Sequence, residues 1–158
     1  TGQNEVLRLT QSQVGYSYRA VVSYIDSHGT REVLYTSPSE TIDNLDDPVQ
    51  GEVTIIGEPK EGVTLRALSN SLSDEDGIAS ISISWETSKD GRNWIGVNSL
   101  SGPVLSLGQS LVGSQVRARV AVVDNFGIET NLYSQATRTV ENVNNKPSGR
   151  IVIRRVGQ

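Results

Sequence analysis

The sequence predicts an all-β protein made of tandem β-sandwich repeats, and three observations predict it. The chain matches itself: laying Gly15 on Gly113, an offset of 98 residues, puts Val6-Leu7-Arg8-Leu9 on Val104-Leu105-Ser106-Leu107 and Leu34-Tyr35 on Leu132-Tyr133. Self-similarity at one long period marks a tandem array. Apolar and polar residues alternate with period two, as in Val116, Ala118, Val120 and Val122 against Arg117 and Arg119, and no stretch carries a helical period. Turn signals rich in Gly, Asp, Asn and Pro separate these short runs at roughly the 8–12-residue spacing of a sandwich.

The repeat sets the expected units. Residues 1–45 form the C-terminal half of one repeat, 46–145 a complete β-sandwich repeat, and 146–158 the first strand of the next. The joint Asp43-Asn44-Leu45-Asp46-Asp47 falls at the same offset on Glu141-Asn142-Val143-Asn144-Asn145. In the first half-repeat, Tyr18, Ala20, Val22 and Tyr24 alternate as a half-buried strand. Asp26-Ser27-His28-Gly29 turns it, and Val33-Leu34-Tyr35 returns.

In the complete repeat, Val53 and Ile55 open a strand, and Glu58-Pro59-Lys60-Glu61-Gly62 turns it. Val63, Leu65 and Ala67 then alternate with Thr64 and Arg66. The acidic loop Asn70-Ser71-Leu72-Ser73-Asp74-Glu75-Asp76-Gly77 leads to the cleanest strand, with Ile81, Ile83 and Trp85 inward and Ser80, Ser82 and Ser84 outward. A buried Trp on the third strand is an Ig-like trait. Lys89-Asp90-Gly91-Arg92 turns into Trp94-Ile95, and Pro103 precedes the return of the shared half. That half turns at Asp124-Asn125-Phe126-Gly127.

Composition narrows the function. Apolar residues at 35% and aromatics at 5% suit the small core of a sandwich rather than a large enzyme fold. Cysteine is absent, which removes disulfides and thiolate metal sites and leaves carboxylate and carbonyl oxygen, the ligands of calcium. A net charge of −4 opposes nucleic acid as a partner. No apolar run approaches a membrane span, and Thr1-Gly2-Gln3-Asn4 is not a signal peptide. The single histidine, His28, becomes Phe126 in the other copy, so it reads as a surface residue. With no nucleophile–base pair, phosphate loop or metal–histidine cluster in the sequence, the expectation is a non-enzymatic protein.

One constellation points to a cation. Asp43, Asn44, Asp46 and Asp47 at the joint, with Asp74 and Asp76 on the loop downstream, offer six hard oxygen side chains. A loop between the second and third strands returns to the end where the joint begins, so both sets are expected to converge on one calcium ion (Ca2+), which takes six to eight oxygens. Asp26 and Asp124 recur in both copies and read as turn residues that hydrogen-bond their own backbone. Asp90 reads as a hairpin residue, and Arg117 and Arg119 as a solvated face.

The joint and its echo resemble the Asp-x-Asn-Asp-Asn-x-Pro linker of cadherins, and Asp74-Glu75-Asp76 resembles the Asp-x-Asp calcium loop that follows it. The whole repeat is similar to the cadherin-like or Ig-like tandem repeats of giant bacterial surface proteins, including RTX-type adhesins. The motifs that carry this are Trp85-Glu86-Thr87-Ser88-Lys89-Asp90-Gly91-Arg92-Asn93-Trp94 and Gln109-Ser110-Leu111-Val112-Gly113. The resemblance implies a calcium-stiffened extender at the cell surface, serving adhesion or biofilm, with Asp43, Asn44, Asp46, Asp74 and Asp76 as ligands. The second joint carries only Glu141 for charge and is expected to bind more weakly. Alternatives are a subunit of an extracellular filament or sheath assembled by strand exchange, and an Ig-like module that binds glycan or protein through loops such as Asn98-Ser99-Leu100-Ser101-Gly102. The expected partners are neighbouring repeats or protomers, in end-to-end or strand-exchange contact. In one such contact, 149–155 adds to the sheet containing 16–25, as 51–57 would to 114–123 within the whole repeat.

Overall fold

A computed structural model describes residues 6–155, without the side chains of 98–100; residues 1–5 and 156–158, at the outer ends of the first and last expected units, lie outside it. The described residues form nine strands: β1 (Val21–Ile25), β2 (Arg31–Tyr35), β3 (Thr54–Ile56), β4 (Thr64–Leu68), β5 (Ile78–Ser88), β6 (Ile95–Ser101), β7 (Val104–Ser106), β8 (Gln115–Asp124) and β9 (Glu129–Tyr133). Single 3-10 turns at Gln11–Gln13 and Gln109–Leu111 precede β1 and β8. Every strand pair is antiparallel. The protein is all-β, as its alternation predicts, and no helix among the described residues is long and apolar enough to cross a membrane.

Two sheets build the sandwich, one ordered β3-β4-β7 and the other β6-β5-β8-β9. The period-two pattern sends one side chain in two inward. Leu65 and Ala67 of β4 and Leu105 of β7 therefore meet Trp85 of β5 and Val116, Ala118, Val120 and Val122 of β8. Trp85 is 1% exposed, and its indole N–H donates to the Gly102 carbonyl at 3.0 Å, so its one polar atom stays paired inside the core. Val53, Leu107, Leu111 and Val140 close the rim.

The internal repeat reappears in backbone geometry. β1 pairs with β2 from Val21↔Tyr35 to Ile25↔Arg31, and β8 with β9 from Arg119↔Tyr133 to Val123↔Glu129, the same register at the 98-residue offset. Local side chains hold both copies alike: the Ala20 amide donates to Thr36 Oγ1 and the Ala118 amide to Ser134 Oγ. Burial differs. Val120 and Val122 are 0% and 1% exposed, whereas their counterparts Val22 and Tyr24 are 54% and 49% exposed. The strand expected over 18–24 forms over Val21–Ile25, and its apolar row is exposed because among the described residues nothing faces the two-stranded β1–β2 sheet.

Four other expectations change. The strand opened by Val53 and Ile55 pairs with β4 and not with residues 114–123. Alternation tells which way a side chain faces but not which strand lies beside it. Ile81 is substantially exposed, because β6 covers β5 only from Ser84 onward and leaves the first half of β5 at the sheet edge. The run Asn98-Ser99-Leu100-Ser101 belongs to β6 rather than to a loop. Arg117 is not merely solvated. Its guanidinium bonds Glu86 Oε2 at 2.6 and 2.7 Å and lies 4.3 Å from the ring centroids of both Trp94 and Tyr133. One cation thus links β5, β8 and β9 across the outer face.

The β5–β6 turn is locked by Asp90. Its carboxylate accepts from the Arg92 and Asn93 amides, the Asn93 side chain and the Ser88 hydroxyl. These bonds, the Asn93 amide first, hold its pKa well below the usual carboxylate range. A depressed folded pKa stabilises above the unfolded value, near 4, and loses that contribution as pH falls toward the folded one. The stability gap between the parent and Asp90→Asn should therefore be full at neutral pH and shrink in acid, as followed by urea midpoints at several pH values. Trp85→Ala, which removes the largest buried side chain, should cost about 3–5 kcal/mol in the same measurement.

Candidate metal centre

The joint runs without regular secondary structure over 41–49 and is fastened to the acidic loop at Gln50. Gln50 and Ser73 exchange both backbone hydrogen bonds, at 2.8 and 3.0 Å. Gly51 follows at φ +101, where a Cβ would collide with the Ser71 carbonyl, so only glycine allows this close approach. Ser71 completes the clasp: its hydroxyl donates to the Glu52 carbonyl at 2.9 Å and accepts from the Glu52 amide at 3.3 Å.

The loop is shaped by its own acids. Asp74 Oδ1 accepts from the Asp76 amide at 2.8 Å, and the Gly77 amide donates to the Asp74 carbonyl. β5 begins at the next residue, and its first registered partner is Asp124 at the end of β8. That register lays the loop beside the turn after β8. The Asp47 amide then donates to Asp76 Oδ2 at 3.0 Å and draws the joint onto the same spot.

Three carboxylates converge there, Asp46, Asp76 and Asp124, with ligand oxygens all within 4.8 Å of one another. Asp76 and Asp124 are each 4% exposed, while Asp46 closes the group from the solvent side. Asp124 Oδ1 accepts from the Phe126 and Ile128 amides, each at 2.8 Å. Asp76 Oδ1 is buried with no hydrogen-bond partner. A buried acceptor without a donor costs about 1–3 kcal/mol, and more when charged, so this oxygen calls for a cation or a proton. Desolvation, then the negative charges of Asp124, Asp76, Asp74 and Asp47, hold the Asp46 pKa above the usual carboxylate range. Stability linked to such a group is full below its unfolded pKa and is lost as pH rises through the folded one, and a bound cation would offset the repulsion at neutral pH.

Of the six residues singled out in the sequence, the structure brings Asp46 and Asp76 into this group. Asp47 contributes its backbone amide. Asp74 caps the loop and adds its charge to the field on Asp46. Asn44 turns away, its Oδ1 accepting from Gln11 Nε2 at 2.9 Å, and Asp43 is exposed outside the group. Asp124 was read as a turn residue only. It does serve the turn, as Asp26 does through the His28 and Thr30 amides, and it also faces the joint. The signal that could have found it is topological: the turn after β8 lies at the same end as the loop before β5.

The second joint is built differently. The Val143 amide donates to Glu61 Oε2 at 2.9 Å, and Glu141 exchanges backbone bonds with Pro59 and Glu61. The Gln109 amide group lies against Asn142 and Glu61. Among the described residues no trio of acids gathers there. Comparison with family models, curated proteins and solved structures gives no match to this chain.

The clasp makes a test of the site's construction. Gly51→Ala would force both the strained φ and the Ser71 contact, at a cost of about 1 kcal/mol or more. Faster hydrogen exchange at the Gln50 and Ser73 amides, with β8 amides still protected, is the expected result.

Proposed function

We propose that this chain is a structural, non-catalytic segment of an exported bacterial surface protein, in which β-sandwich repeats are joined end to end and stiffened by calcium at the joints, in the service of adhesion or biofilm. The observation that carries the reading is the unpartnered, buried Oδ1 of Asp76, a residue whose carboxylate groups with those of Asp46 and Asp124. The donors are all hard carboxylate oxygens. Their separation suits an ion whose ligands lie about 2.3–2.6 Å away and hence up to about 5 Å from one another.

The three acids come from three places in the chain. Asp46 belongs to the joint, Asp76 to the loop before β5, and Asp124 to the turn after β8. A cation there ties the joint to the sandwich and removes the repulsion that otherwise pushes it away. The role is mechanical: it fixes the angle at which one unit follows the next.

Calcium titration with thermal melting tests this. A ligand that binds only the folded state adds RT ln(1 + [L]/Kd), about 2.7 kcal/mol at a hundredfold excess. The parent should gain melting temperature with calcium and lose the gain in chelator, and Asp76→Asn should respond little. A parent whose melting temperature and small-angle scattering are the same in calcium and in chelator would show the joint to be a polar linker only.

A further inference from the structure

The β1 strand has an open side. Ladder bonds in an antiparallel pair alternate, and the Asp26 amide and Ala20 carbonyl already bond on the β2 side, with Thr30 and Thr36. The N–H groups of Arg19, Val21, Ser23 and Ile25 therefore face away from β2. Among the described residues no backbone group pairs with them. The equivalent side of β8 is filled by β5, in a register that runs from Ile78↔Asp124 to Ser88↔Gln115.

The first copy keeps the recognition features of that filled edge. Arg19 lies 4.5 Å over the Tyr35 ring, as Arg117 lies over Tyr133, but among the described residues Arg19 makes no ion pair where Arg117 holds Glu86. The apolar row beside it, Leu7, Leu9, Val22 and Tyr24, is exposed, whereas its counterparts Leu105, Leu107, Val120 and Val122 are buried. Two counterparts differ in size: Tyr18 stands for Val116, and Tyr24 for Val122.

We propose that residues 17–26 are an acceptor edge for an added antiparallel strand that neither the described residues nor a second copy of them supplies, and that its side chains specify the partner. That strand has a carboxylate opposite Arg19, a large apolar residue opposite Ala20, and a small residue opposite Tyr24. In the filled edge these positions are Glu86, Trp85 and Ile81, across from Arg117, Ala118 and Val122. The tyrosine at 24 takes up the volume that Ile81 would otherwise fill. Backbone pairing supplies affinity, and the alternating side chains supply register, as in β-strand addition generally. The proposal does not depend on a cation at the joint.

The probe is a synthetic peptide of residues 78–88 carrying Ile81→Ala, added to the full 158-residue chain. Amide exchange at Arg19, Val21, Ser23 and Ile25 should slow by roughly tenfold or more. Adding Glu86→Lys to the peptide should weaken its binding to the parent on the order of tenfold, and an Arg19→Glu chain should restore it. Exchange at β8 reports that the chain itself stays folded. Absence of protection at those four amides would overturn the proposal, as would protection indifferent to the charge swap. Protection that grows with chain concentration alone would also overturn it, by making a second copy the occupant.

Discussion

The pairing of β5 with β8 is the constraint on which the rest depends. It joins the half of the repeat seen once to the half seen twice, along a register from Ile78↔Asp124 to Ser88↔Gln115. A one-residue slip would put Trp85 on the face opposite the Val116–Val122 row, so the joint burial of both fixes the register. The same register brings the loop before β5 to the turn after β8. Asp76 and Asp124 are neighbours for no other reason.

The fixed frame makes the acidic group unusual among surface acids. Exposed carboxylates at such spacing swing apart at little cost, but Asp124 is held by two turn amides and Asp76 by the Asp47 amide. What remains free to move is Asp46, on the joint. The charge conflict therefore falls on the joint, and under the proposed reading a bound cation would act on the geometry of the chain there.

How much of this was legible follows from what sequence patterns encode. Alternation encodes faces, and the inward rows of β4, β8 and the end of β5 were plain from Leu65 and Ala67, Val116 to Val122, and Trp85. It does not encode lateral neighbours, so the partner of β3 and the edge position of Ile81 were hidden. Asp76 was legible because two acids two apart on a Gly-ended loop have few other uses. Asp124 was not, because its turn bonds gave it a complete account already. Asn44 misled for the opposite reason: its type suits a ligand, but Gln11, far away in sequence, claims its oxygen.

The two copies of the hairpin, β1–β2 and β8–β9, share register and turn bonds although only one is buried. Their shape is therefore written locally, in Asp26 or Asp124 at the turn and Thr36 or Ser134 at the base, and does not wait for a core. One β5 strand thus has two hairpins of the same shape and with the same arginine within the chain. Loop-closure entropy separates them weakly, because the cost rises only as the logarithm of loop length. Side-chain volume distinguishes them: Val116 and Val122 lie across from Thr87 and Ile81 in the closed sandwich, and the bulkier Tyr18 and Tyr24 stand at the matching places of β1. Under the proposed reading of tandem repeats, such variation between matching hairpins would keep a front half from folding onto its neighbour's back half.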